Sequence, residues 1–179
     1  MKSVIETNAE RLRALHTAIK KTWIDRDVGP KSLEAWKRAC AEFHSSFDAL
    51  AFPGGLGRAM SLLAKQDPEI IEQVLQFLEF DPFFFRSGYI KAEFIRHLRH
   101  WPMTGDQKAR LQKVIIARVY EKGRREFRWY CRLAKYVTDS EFQAVIEKLA
   151  AVKEPKLVAR QASWVLEQIK QYETGVSPD

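Results

Sequence analysis

No apolar run in this sequence approaches the roughly 20 residues that a bilayer-spanning helix needs. The N-terminal stretch MKSVIETNAERLRALH has no uninterrupted apolar core, so no secretory leader is expected. Cysteine is scarce: Cys40 and Cys131 stand far apart, each on the apolar side of a helical pattern. Nothing in that placement calls for a disulfide between them, and the plain reading is small buried thiols in a reducing, cytoplasmic setting. The glycine-containing stretch PGGLGR, residues 53–58, lacks the lysine and the preceding strand of a phosphate-binding loop. Only an anion site at a helix start remains open to it. Acidic residues are short in one region alone. Residues 86–136 carry 4 acidic and 14 basic side chains, against 12 and 11 in residues 1–85 and 7 and 5 in residues 137–179. The net charge of +7 therefore arises in a single segment, whose field attracts acidic partners without dictating a fold.

What is present reads as helix almost throughout. Ser3-x-x-Glu6 is a capping box, and Ile5, Leu12, Leu15, Ile19 and Trp23 follow at helical spacing. Gly29-Pro30 breaks the chain and starts a second helix. Its apolar residues Leu33, Trp36, Cys40, Phe43, Phe47 and Leu50 alternate at three and four, a narrow coiled-coil-like seam. Residues 1–52 are thus expected to form an N-terminal helical hairpin, each helix too narrow in its apolar stripe to be stable alone.

AFPGGLG, residues 51–57, is the clearest break. After it Asp67-Pro68 and Asp81-Pro82 each place a capping residue before a proline, the second opening the turn FFF at 83–85. A helix follows Ser87-Gly88 and closes at Pro102. Thr104-x-x-Gln107 caps the next, with Gly123 as its terminating glycine, and Arg124–Val137 is read as another. Thr138-x-x-Glu141 and Glu154-Pro155 start the last two. Helix pairs open near 68, 104 and 138, a period of about 34–36 residues. This spacing resembles that of HEAT-like helical-repeat proteins over roughly residues 55–173. The resemblance implies an all-α domain at 53–173, a short stack of antiparallel helical hairpins (an α-solenoid), followed by a disordered tail at 174–179. A compact irregular bundle would carry the same text.

GRREFRWYCRLAKYV, residues 123–137, is the densest basic and aromatic stretch. At ~100° per residue, Phe127, Tyr130, Cys131, Ala134 and Val137 share one stripe. Trp129, Leu133 and Tyr136 form a second. Arg124, Arg125, Arg128, Arg132 and Lys135 form a ridge between them. A helix apolar over more than half its circumference is packed on two sides, so the ridge is its exposed edge. Glu126 falls among the apolar positions and needs a partner such as an arginine. Exposed helix faces normally mix charge signs, because like charges repel at one-turn spacing. A ridge of one sign therefore points to an acidic partner. Arg96 and Arg99 share a helix face and extend it, and Arg118 with Lys122 adds a like-charged pair.

Other constellations carry less. His97-x-x-His100 lacks a third metal ligand, Cys40 and His44 belong to the hairpin seam, and FFF with Trp101 reads first as core. The sequence predicts no cofactor, no metal site and no catalytic residue. The expected function is a non-enzymatic binding or scaffold module whose basic surface meets an acidic protein or nucleic acid. The binding residues are Arg96, Arg99, Arg124, Arg125, Arg128, Arg132 and Lys135, with Trp129 and Tyr136 as candidate aromatic contacts. The alternative is an enzyme on nucleic acid, such as a HEAT-like DNA glycosylase, for which Asp139 and Glu126 are the nearest carboxylates.

Overall fold

The computed structural model describes residues 3–122 and 124–173, the last two by backbone alone. Gly123, expected to terminate a helix, and the expected tail at 174–179 lie outside the described residues. Every regular element among the described residues is helical, and no helix there is long and apolar enough to cross a membrane. The chain divides into two compact units, one through Ser87 and one from Gly88.

The first unit contains α1 (Val4–Ile24), α2 (Pro30–Ala51), α3 (Leu56–Ala64), a 3-10 turn (Pro68–Ile70) and α4 (Ile71–Phe80). The capping box is in place: Ser3 Oγ accepts from the Glu6 amide and Glu6 Oε2 accepts from the Ser3 amide. Pro30 occupies the first turn of α2. α1 and α2 pack on each other as the expected hairpin. Leu12 and Phe43 are buried in its seam while Trp23 and Ile24 at the tip are exposed, as a narrow apolar stripe dictates. The break at 51–57, read as a domain boundary, is a turn inside this unit, since α2 and α3 both belong to it and pack together.

That turn holds an internal anion. Asp48 Oδ1 accepts the Gly57 amide at 2.7 Å, at the N-terminus of α3. Gly54 and Gly55 take φ of 80° and 95°, open to glycine at no steric cost. A Cβ on Gly55 would also sit 2.9 Å from Asp48 Oδ2. The helix-start anion position suggested by PGGLGR is thus filled by the protein's own carboxylate. Asp67 caps the 3-10 turn by accepting from the Glu69 amide. Asp81 does the opposite of what Asp81-Pro82 suggested: it ends α4 in the left-handed region (φ 47°, ψ 53°), which aspartate tolerates better than most residues. Of the three phenylalanines, Phe84 is buried, Phe83 is exposed, and Phe85 stacks on His16 at 4.5 Å.

The second unit contains α5 (Ser87–Leu98), α6 (Gly105–Val119), α7 (Phe127–Val137), α8 (Ser140–Ala150) and α9 (Lys156–Glu173). Thr104 and Gln107 form the expected capping box. α7 packs against α6 and α9, and α8 against α9. The shared core is built from Phe94, Leu98, Ile115, Val119, Tyr130, Leu133, Val137, Ile146, Ala162, Val165 and Ile169. The cap of α8 is Asp139, not Thr138. Its carboxylate accepts from the Phe142 amide at 2.8 Å and from Gln112 Nε2 at 2.7 Å, while Thr138 terminates α7. The same Gln112 amide also donates to the Val137 carbonyl. One α6 side chain therefore pins the α7–α8 corner and favours the aspartate as cap.

Candidate functional site

α7 begins at Phe127, three residues later than the sequence pattern suggested. Arg128, Arg132 and Lys135 are on the helix, whereas Arg124 and Arg125 occupy the turn that leads into it. The cause is tertiary. Glu126 turns inward to Lys91 Nζ on α5, 3.8 Å away, with Lys91 fully buried and Glu126 nearly so. Gly88 makes room for this carboxylate, since a Cβ there would lie 2.7 Å from Glu126 Oε2. Arg125 Nη1 donates to Tyr89 Oη at 2.6 Å. These two anchors tie the turn to the first turns of α5, where a carboxylate is also favoured by the exposed amides of a helix start. The partner of Glu126 is thus a lysine of α5 rather than an arginine of the ridge.

From Phe127 onward the helical wheel holds. Phe127, Tyr130, Cys131, Ala134 and Val137 are buried, and so is Leu133 on the second stripe. Trp129 and Tyr136 are half-buried, and Arg125, Arg128 and Arg132 are exposed. Burial pushes the Cys131 thiol up to about 12, so it packs as a small apolar side chain.

The ridge forms part of an open groove of about 1230 Å³. Its walls come from α5, α7, α9 and the turn before α7, with no lining residue from α6 or α8. Every second helix of the unit thus faces one surface. Arg96, Arg99, Arg124, Arg125, Arg128, Arg132, Lys135, Trp129 and Tyr136, the nine side chains singled out from the sequence, all line it. The structure adds Lys122, Arg160, Trp164 and Gln161. Arg160 and Trp164 are one turn apart on α9, the same basic–aromatic spacing that marks α7. That signal was readable, but it was averaged away in a segment of net negative charge. Among the described residues the lining holds nine basic side chains and one carboxylate, Glu167.

Carboxylates hold few of these cations. Arg96 Nη1 donates to Glu93, and Arg124 shares Glu121 with Arg118. Among the described residues, no carboxylate lies within ion-pair reach of Arg125, Arg128 or Arg132. Aromatic faces hold them instead. Arg132, Arg128 and Arg96 surround the Trp129 ring at 4.9, 5.5 and 5.9 Å. Lys135 and Arg99 approach Tyr136 at 5.1 and 5.7 Å, and Arg160 lies 5.5 Å from the Trp164 centroid. Each such contact contributes about 0.5–1 kcal/mol at an exposed site. It orders the guanidinium without cancelling its charge.

Glu126 and Asp139, the two carboxylates weighed as candidates from the sequence, are committed elsewhere. Glu126 is paired with Lys91, and Asp139 caps α8. Its backbone and Gln112 hydrogen bonds hold the Asp139 carboxyl below the usual carboxylate range. His100 tilts against Tyr136 at 6.2 Å, and no group of three metal-ligating side chains occurs among the described residues. No protein-family model, curated protein or solved structure matches this chain.

Proposed function

We propose that the chain is a non-catalytic binding module whose groove on α5, α7 and α9 receives an acidic macromolecule in the cytoplasm. The observation that carries this reading is the charge imbalance of the lining, nine cations to one carboxylate among the described residues. Like charges gathered with few counter-charges destabilise the folded chain, and a polyanion relieves that repulsion. The alternation of lining and non-lining helices supports a HEAT-like arrangement, with α6–α7 and α8–α9 as successive hairpins and the second helix of each on the binding side. In that arrangement α5 is the second helix of a preceding pair. Affinity is set by many weak electrostatic contacts, so no single substitution abolishes it.

The test is charge reversal at the three arginines that no carboxylate holds. The R125E/R128E/R132E variant should lose retention on an immobilised polyanion such as heparin while keeping its helical circular dichroism. Retention unchanged in the folded variant would remove the groove from the account.

A further inference from the structure

The chemistry of the groove distinguishes between kinds of polyanion. We infer that its occupant is a single-stranded nucleic acid, its phosphates on the arginines and at least one base stacked on Trp164. This inference rests on the reading of the groove as a polyanion site.

Three observations carry it. First, Trp164 lines the groove and is 46% exposed, a large apolar ring left open in the most charged surface of the unit. An acidic peptide would satisfy the cations and leave that ring unused, whereas a base offers it a π-face. Stacking platforms set among backbone-tracking cations are the recurring solution for single strands. Duplex bases are already stacked on one another and present no free face. Second, the groove volume of about 1230 Å³ exceeds the ~300–1000 Å³ typical of small-ligand pockets, and its cations are spread over three elements. That suits several consecutive nucleotides better than one. Third, Gln161 in the groove wall is fully buried, and its Nε2 donates to the Glu121 carbonyl at 2.5 Å. Its Oε1 has no hydrogen-bond partner among the described residues. Buried amide oxygens are normally satisfied, so this one marks a polar point in the groove wall that a small side-chain shift would open to the amino edge of a base.

The experiment measures binding of the full chain to five probes of matched charge: a mixed-sequence RNA strand, the same DNA strand, a DNA duplex of half that length, an abasic strand and poly-glutamate. The intact strands should bind tightest. The abasic strand should bind weaker by about five- to 150-fold, the loss expected for one stacked base. Trp164→Leu should lower single-strand affinity to the abasic level and weaken poly-glutamate binding by far less, with far-ultraviolet circular dichroism reporting that the variant is folded. RNA against DNA decides which sugar the groove prefers. Equal binding of abasic and intact strands, or tighter binding of the duplex or of poly-glutamate, overturns the inference while leaving the polyanion reading intact. Absence of binding to all five overturns both.

Discussion

The buried Lys91–Glu126 pair sets where α7 begins and how Arg125 is presented, so its removal is the most informative structural perturbation. At 3.8 Å, two unit charges attract by roughly 4 kcal/mol at an effective dielectric constant of about 20. Desolvation costs several kcal/mol per ion, so the intact pair is close to neutral in net terms. Breaking it is not. Lys91→Met leaves a nearly buried carboxylate without the Lys91 cation, and Glu126→Gln takes the Glu126 charge away from a fully buried ammonium. Each single change should destabilise by about 3–5 kcal/mol. The double variant K91M/E126Q removes both charges and should fall within about 1–2 kcal/mol of the parent, a large coupling energy for residues in direct contact. Urea denaturation monitored by far-ultraviolet circular dichroism gives all four stabilities. The reasoning fails if the single variants each lie within 1 kcal/mol of the parent, or if their effects simply add. Gly88 supplies a second arm. Gly88→Ala should cost about 1–3 kcal/mol by crowding the carboxylate, and the cost should shrink once Glu126 is Ala.

Three further outcomes follow from local chemistry. Asp48→Ala removes the acceptor for the Gly57 amide and should cost about 0.5–2 kcal/mol in denaturant unfolding, the usual worth of a helix-start cap; no loss would mean that water replaces the carboxylate freely. The Asp139 carboxyl is depressed by its Phe142 and Gln112 hydrogen bonds. Its stabilising contribution is therefore full above the unfolded-state value and is lost as pH falls through the folded one. Because the group is exposed the effect is modest, and Asp139→Asn should flatten the decline of melting temperature on the acid side; an identical decline in both proteins would contradict this. In thiol labelling at neutral to mildly basic pH, half-buried Cys40 should react in the native protein. Buried Cys131, pushed up to about 12, should react only after unfolding, and two rapid equivalents in the native state would refute that assignment.

Most helices were legible because their signals are local. The capping boxes at Ser3 and Thr104, Pro30 at a helix start and the apolar stripe of α7 each depend on neighbours within a turn or two. The departures occur where a distant residue decides. Asp139 rather than Thr138 caps α8 because Gln112 reaches it from α6. Arg124 and Arg125 leave the helix because Lys91 and Tyr89 hold the turn before it. The anion position beside Gly57 is filled by Asp48, nine residues upstream. The groove was visible in part for the same reason. Charge density along 86–136 located the arginines of α5 and α7, but Arg160 and Trp164 lie in residues 137–179, whose summed charge is negative. Their contribution depends on which face of α9 turns toward α7, and that is a property of packing.

The central claim is that Arg125, Arg128 and Arg132 engage phosphates as exposed cations that no carboxylate neutralises, and the salt dependence of binding tests it most directly. Fluorescence anisotropy of a labelled single-stranded oligonucleotide should show log Kd rising steeply with log salt concentration. The R125E/R128E/R132E variant should lower that slope by about 2, from a contribution of ~0.7 for each lost phosphate contact. Equal slopes for the folded variant and the parent would show that these three side chains touch no phosphate, and would contradict the account.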